Sequence, residues 1–247
     1  MTTLFISDLH LDGSRPEITA LFLKFLHEEA AKASSLYILG DFFEVWIGDD
    51  DGDPHHASVM AGLRALTAAG VPVYLMHGNR DFLIGRKFAQ RTGVRLLADP
   101  TVMDLGGSPT LLTHGDTLCI DDRQYQRARR LMRNPLVQGV YLALPLSLRR
   151  RIAAYARAKS RKDTAAKAEY IMDVNPQAVE SVMTRHGVTR LIHGHTHRPA
   201  VHRFKSADGE AMERIVLGDW YEQSSILRWD GKDGKLSDRR VADGKAD

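Results

Sequence analysis

Residues 3–7, 36–39 and 71–76 are short apolar runs, and polar, ligand-type side chains follow each one: Asp8-Leu9-His10, Gly40-Asp41-Phe42-Phe43-Glu44 and His77-Gly78-Asn79-Arg80-Asp81. Runs of this length read as buried strands. Between them the apolar spacing is helical. In residues 16–33, Ile18, Leu21, Phe22, Phe25 and Leu26 share one face behind Pro16, which suits a first helical position. Residues 59–69 repeat the pattern and stop at Gly70, and 82–91 read as a third helix. Strands alternating with helices predict a layered α/β fold whose functional groups sit at strand ends.

Beyond residue 100 the connections change. Residues 101–105 and 110–113 flank Gly106-Gly107-Ser108-Pro109, which favours an antiparallel hairpin, and its second arm runs into His114-Gly115-Asp116. Residues 121–175 hold no clear strand and are punctuated by Pro135, Pro145 and Pro176. They read as a helical cap inserted into a core made of 1–120 and 176–240. A helix over 176–186, a strand into His193 and strands over 200–204, 214–217 and 225–229 complete that core. The polar tail after Gly231 is expected to fray, and the acidic loop 49–53 to be solvated.

Composition narrows the class. With 247 residues, 43% hydrophobic and 26% charged, the chain can bury a sizeable core, which excludes disordered and fibrous classes. The only cysteine, Cys119, excludes an internal disulfide and fits a reducing compartment. Leu4, Phe5 and Ile6 before Asp8 are too short and too acidic a stretch for a signal peptide, so a cytoplasmic location is expected. Apolar residues 136–148 are broken by Gln138 and Pro145 and are too short to span a bilayer. The net charge of +3 hides an asymmetry: residues 121–170 carry thirteen Lys or Arg against four Asp or Glu, a local +9 that leaves the rest at −6. Such a segment fits an anionic substrate, nucleic acid or an anionic membrane surface, and composition does not choose among them.

The densest site signal is His193-Gly194-His195-Thr196-His197. Along an extended segment the three imidazoles would share one side, Gly194 would admit close backbone approach, and two rings could reach adjacent metal ions. With Asp8, His10, Asp41, Asn79 and His114, five strand ends deliver carboxylates, an amide oxygen and imidazoles without a thiolate. That donor set suits a pair of divalent ions such as manganese, iron or zinc, and a carboxylate can bridge two ions.

These blocks, in this order, resemble the calcineurin-like metallophosphoesterases. The resemblance implies a four-layer α-β-β-α sandwich with an inserted helical cap. It places one ion on Asp8, His10, Asp41 and His197 and the other on Asp41, Asn79, His114 and His195, with Asp41 bridging. Glu44 and Asp81 would orient ligands, and His193 would stand outside the set. Most relatives carry His where this chain has Arg80. A guanidinium cannot act as general acid, but it clamps phosphate, which suits a leaving group that is already a stable phosphate.

Arg80, the length and the basic segment narrow the resemblance to the branch that hydrolyses the diphosphate of a UDP-linked diacylglucosamine in lipid A biosynthesis. That reaction releases UMP and 2,3-diacylglucosamine 1-phosphate through water attack on the α-phosphorus, commonly with two Mn2+ ions. The resemblance implies that Arg80 and His195 stabilise oxyanion charge and that Asn79, Arg80, Asp122, Ser160, Thr164, Lys167 and His195 contact substrate. Thr164 stands where that branch carries an amide side chain. The implied partners are the lipid and the cytoplasmic face of an anionic inner membrane, met through Arg149-Arg150-Arg151, Ile152 and Tyr155. The chain would act as a monomer and bind no nucleic acid.

Two alternatives stand beside this reading. A general phosphodiesterase or nuclease of the same family would use the basic segment to grip nucleic acid, but the interleaved residues are mainly aliphatic rather than aromatic. A non-catalytic scaffold would not need a full ligand set.

Overall fold

The computed structural model describes residues 2–165, 173–221 and 223–240, without the side chains of 161–165, 223 and 238–240. In chain order, β1 (Thr3–Ile6) leads to α1 (Pro16–Glu28), β2 (Ser35–Leu39), α2 (Pro54–Ala68), β3 (Val73–Met76), α3 (Arg86–Thr92) and β4 (Arg95–Leu97). A hairpin of β5 (Thr101–Leu105) and β6 (Ser108–Leu112) precedes α4 (Arg123–Met132), α5 (Pro135–Leu142) and α6 (Leu146–Ala165). The chain continues through α7 (Pro176–His186), β7 (Arg190–His193), β8 (Ala200–Lys205), β9 (Ala211–Val216), β10 (Gln223–Trp229) and β11 (Gly234–Arg240).

Side-chain alternation assigns the layers. Leu4 and Ile6 of β1, Leu36 and Ile38 of β2, and Val73 and Leu75 of β3 belong to one core with Ile18, Phe22 and Phe25 of α1 and Val59 and Leu63 of α2. Phe5, Leu39 and Met76 take the other face and meet Leu105, Leu112, Ile192 and Ile215 of a second sheet. The far face of that sheet, Leu111, Leu191 and Met212, packs with Val179 and Met183 of α7. The result is helix, sheet, sheet, helix, the four layers expected. Each fully buried Leu, Ile or Phe contributes about 1.5–3 kcal/mol.

The first sheet runs β11-β10-β1-β2-β3-β4 and the second β5-β6-β7-β9-β8. β1 to β4 are mutually parallel, as are β6, β7 and β9, so within each parallel set the C-terminal ends open on the same edge. The β5–β6 hairpin turns through Gly106 and Gly107 at φ +66° and +82°, the positive pair that a two-residue turn matching strand twist requires.

Local capping moves several boundaries. Asp53 accepts the His55 amide at 2.9 Å and Pro54 opens α2, so that helix begins before its apolar periodicity does. The helix expected over 82–91 starts at Arg86, because Asp49 accepts the amides of Gly85, Lys87 and Phe88 at 2.9–3.1 Å and fixes its first turn. The loop 49–53 is therefore not simply solvated. Asp50 pairs with Arg149 and Asp51 with Arg150, which fastens α6 to this loop. Of the tail expected to fray after Gly231, the described part is ordered as far as Arg240: β11 pairs with β10 from Gln223 opposite Arg240 to Trp229 opposite Gly234, and residues 241–247 lie outside the described residues. Asp230 starts that return by accepting the amides of Lys232 and Asp233 at 3.0 Å, and the added strand covers what would be an open sheet edge.

α4, α5 and α6 lie between the hairpin and α7. Their exposed side chains include Leu136 (80%), Val140 (69%) and Tyr155 (74%). Among the described residues no helix is long and apolar enough to cross a membrane.

Candidate metal centre

Three strands stop just short of the site. β1 ends at Ile6, β2 at Leu39 and β7 at His193. Just beyond those ends, Asp8, His10, Asp41, His195 and His197 adopt φ between +49° and +69°; among the described residues these are the non-glycine positions with positive φ. Left-handed backbone costs a non-glycine residue about 1 kcal/mol or more, so the surroundings must hold it. They do so through their amides: Asp8 N donates to Gly40 O (3.0 Å), His10 N to Asp41 O (2.9 Å) and His195 N to the Asp8 carboxylate Oδ2 (2.9 Å). Close approach also needs glycine. A Cβ on Gly78 would stand 2.1 Å from Asp41 N, and one on Gly194 would stand 2.2 Å from Asp8 Oδ2.

The three histidines of 193–197 do not share one side of an extended strand as expected. β7 ends at His193, which pairs with Val216, and the left-handed turn that follows sends only His195 and His197 into the site. His193 is fully buried elsewhere, with Nδ1 2.8 Å from Gly194 O, and burial pushes its imidazole down to about 3.

Two groups of donors form. In the first, His197 Nε2 lies 3.3 Å from Asp8 Oδ1 and 3.3 Å from His10 Nε2, which is 3.9 Å from Asp41 Oδ2. In the second, His114 Nε2 lies 3.8 Å from Asp41 Oδ1 and 3.0 Å from Asn79 Oδ1, with the His195 ring 5.0 Å from the His114 ring. Asp41 faces both. Asp8, His10 and His197 bring ligand atoms within 4.8 Å of one another, as do Asp8, Asp41 and His114. Asp8 Oδ1 is buried and receives no hydrogen bond. A buried anionic oxygen facing imidazole nitrogens is satisfied by a divalent cation, and the oxygen and nitrogen donors suit one.

The groups behind these donors orient them. His197 Nδ1 is 3.0 Å from Asp219 Oδ2, His10 Nδ1 is 3.3 Å from Glu44 Oε2, and His114 Nδ1 donates to Leu39 O at 2.9 Å. Each contact leaves Nε2 turned toward the cluster. Burial would lower the proton affinity of His114, but the carboxylates of Asp41, Asp8 and Asp116 outweigh it and raise the group to about 9. Burial likewise opposes charge on His197, yet the bond to Asp219 and the charge of Asp8 raise it to about 10. Burial and the charge of His114 push His195 down to about 4. Burial would raise Asp8, but the neighbouring charges of His197 and His114 hold its carboxyl well below the usual carboxylate range.

Asp81 acts on backbone rather than on a ligand ring. Its oxygens accept the amides of Phe42 and Gly78, each at 2.7 Å, and so join the loops that carry Asp41 and Asn79. Arg80 gives its amide to Asp41 Oδ1 at 2.9 Å, and its Nη1 meets both Glu44 oxygens at 2.9 and 3.0 Å. Three contributors were not foreseen. Asp219 follows β9 after Gly218, the same pairing of Gly and Asp that marks Gly40-Asp41, and that was its available signal. Tyr221 stacks on His10 at 5.1 Å with the Arg15 guanidinium 3.9 Å above its ring. Buried Asp116 accepts Tyr125 OH at 2.7 Å and Arg129 Nε at 2.6 Å, which ties α4 to the His114 loop.

Of the expected substrate contacts, Asn79, Arg80 and His195 stand in the cluster, whereas Asp122 caps α4 by accepting the Tyr125 amide at 3.0 Å. Ser160 is exposed on α6, three residues past Arg157, whose guanidinium contacts Glu44. The side chain of Thr164 and all of Lys167 lie outside the described residues. Of the basic run 149–151, Arg149 is withdrawn from the surface and Arg150 pairs with Asp51, while Arg151 is exposed. Arg149 is 2% exposed and donates to Ile47 O (2.7 Å), Leu144 O (3.0 Å) and Asp50, because the turn at Gly48 leaves room for its guanidinium.

The sequence profile of the calcineurin-like phosphoesterases matches residues 1–199. A UDP-2,3-diacylglucosamine hydrolase of Serratia proteamaculans is 54% identical over 228 residues, 92% of this chain and 95% of the relative. One from Stenotrophomonas maltophilia is 53% identical over 237 residues, 93% and 95% of the two chains. One from Aeromonas salmonicida is 49% identical over 241 residues, 98% and 94%.

Proposed function

The chain belongs to the calcineurin-like phosphoesterase family, and we propose that it hydrolyses the diphosphate bond of UDP-2,3-diacylglucosamine, releasing UMP and 2,3-diacylglucosamine 1-phosphate. The observation that carries this reading is the 49–54% identity, over nearly the full length of both chains, to relatives that bear that activity in their names. Arg80 at the cluster and the exposed apolar side chains of α4 to α6 support it, since the substrate joins a diphosphate to two acyl chains.

We assign one divalent cation to Asp8, His10, Asp41 and His197 and a second to Asp41, Asn79, His114 and His195, and take Mn2+ as the native ion. Bound there, the pair would supply Lewis acidity and a nucleophile at neutral pH. Water attacks the α-phosphorus in line, the bond from that phosphorus to the bridging oxygen breaks, and the lipid 1-phosphate departs. That group leaves as a stable anion and needs no general acid. Arg80 donates to phosphoryl oxygens as charge builds on them, and His195, held against His114, stabilises the same charge. Asn79, Asp122, Ser160, Thr164 and Lys167 complete the substrate contacts.

Residues 121–175 serve as a cap over a core of 1–120 and 176–240, and their apolar side chains receive the acyl groups. The chain works as a monomer at the cytoplasmic face of the inner membrane, with Ile152, Tyr155 and the exposed aliphatic residues toward the lipid and no role for nucleic acid. Phosphorus NMR of the products formed in water enriched in heavy oxygen tests the reading. Label in UMP, lost on chelation and restored by Mn2+, is the expected result. Label in the lipid phosphate would reverse the point of attack, and cleavage of simple phosphodiesters alone would overturn the substrate.

A further inference from the structure

Glu44 is a half-buried carboxylate, and four other parts of the chain converge on it. Arg80 Nη1 from the loop after β3 meets both oxygens at 2.9 and 3.0 Å, His10 Nδ1 lies at 3.3 Å and Tyr221 OH at 3.5 Å. The fourth is Arg157 of α6, whose Nη2 contacts Oε1 from 113 residues away in sequence. Glu44 is the ion-pair partner that Arg157 has among the described residues. Two guanidiniums this close repel each other unless a shared anion lies between them. Glu44 is that anion, and it leaves other N–H groups on each arginine free for a ligand.

The position along α6 gives this contact a consequence. Arg149 and Arg150 fasten the first turns of the helix to the loop 47–51. Arg157 comes eight residues later, about 12 Å along the axis, and ties the helix to the catalytic cluster itself. We infer that Glu44 is a positioning residue for the proposed reaction: it sets the Arg80 guanidinium against Asp41 and, through Arg157, latches α6 over the site. The kinetic part of this inference rests on the proposed function, and the structural part does not.

The test uses the full-length, Mn2+-loaded protein with Glu44→Gln, Arg157→Gln, Arg157→Lys and the Glu44→Gln/Arg157→Gln double variant, bound manganese being measured in each. Hydrogen exchange of the α6 amides near residue 157 is read without substrate. Glu44→Gln and Arg157→Gln each speed exchange about tenfold, Arg157→Lys restores most of the protection, and the double variant matches Glu44→Gln. With UDP-2,3-diacylglucosamine, Arg157→Gln raises KM about tenfold with a much smaller change in kcat. Glu44→Gln lowers kcat/KM about 10- to 100-fold, because Arg80 is released as well, and the double variant loses no more. Unchanged α6 exchange in both single variants, or losses that multiply in the double variant, overturns the latch. If Glu44→Gln sheds manganese, Arg157→Gln, which touches none of the candidate ligands, decides the question. Failure of the wild-type chain to cleave the lipid would sink the proposed function while the exchange arm still judged the latch.

Discussion

His197 Nδ1 and Asp219 Oδ2 stand 3.0 Å apart, so the imidazole that closes the first donor group is aimed by a carboxylate from the segment after β9. A carboxylate behind a ligating histidine fixes its tautomer and strengthens it as a donor. Asp219→Asn is therefore expected to weaken Mn2+ binding about 10- to 100-fold with little loss of kcat at saturating metal. Calorimetric titration of the metal-free chain measures the first quantity, and wild-type affinity would remove Asp219 from the centre.

The raised histidines set a pH dependence. In the metal-free chain His114 titrates near 9 and His197 near 10, both above the ordinary 6.5. Groups raised in this way stabilise the fold fully below pH 6.5, and that contribution is lost as pH rises through 9 to 10. A cation needs both imidazoles neutral, so loading at pH 7.5 should expel about two protons per chain, and affinity should strengthen as pH rises toward 9. Binding heats in two buffers of different ionisation enthalpy count those protons; no release would contradict the ion-pair description.

Arg149 supports a different prediction. It is 2% exposed and fills three acceptors, of which the Ile47 and Leu144 carbonyls lose their donor if it is removed. The Asp50 side chain is half exposed and can recover water. Arg149→Ala should cost about 2–4 kcal/mol, chiefly from the stranded carbonyls and the void. Urea unfolding measures it, and a loss under about 0.5 kcal/mol would mean that the guanidinium is not structural.

Much of the fold was legible because short apolar runs and helical spacing report burial directly. Phe5 and Leu4 point to opposite cores as alternation requires, and Gly106-Gly107 turns as its composition implies. What escaped depends on contacts distant in sequence. β11 is polar, and its pairing with β10 leaves no apolar signature. The loop 49–53 looked like solvated acid until Arg149, about a hundred residues on, came to rest against it. In the site, the ligand-type residues at strand ends were visible as motifs, but their left-handed backbone was not, and that backbone is why His193 turns away while His195 and His197 turn in. Asp219 and Tyr221 carry no spacing relative to His197 and His10, because only the sheet order places them there.

Arg80 offers the sharpest test of the chemistry. Its Nη1 is shared by both Glu44 oxygens, its Nε lies 3.6 Å from Asp41 Oδ2 with no hydrogen bond of its own, and its amide holds Asp41 Oδ1. Only a planar fork can make the Glu44 and Asp41 contacts and still face a phosphoryl group. Arg80→Ala should lower kcat about 10²-fold or more through lost charge stabilisation, and Arg80→Lys should recover little of it. Arg80→His changes the chemistry available, since an imidazole can protonate an alkoxide leaving group and a guanidinium cannot. That variant should lose turnover of the diphosphate while gaining relative activity on phosphodiesters with poor leaving groups. Initial rates of the three variants on both substrate classes, at saturating Mn2+, decide the matter. Equal losses on both classes would show that Arg80 holds the site together without selecting its leaving group.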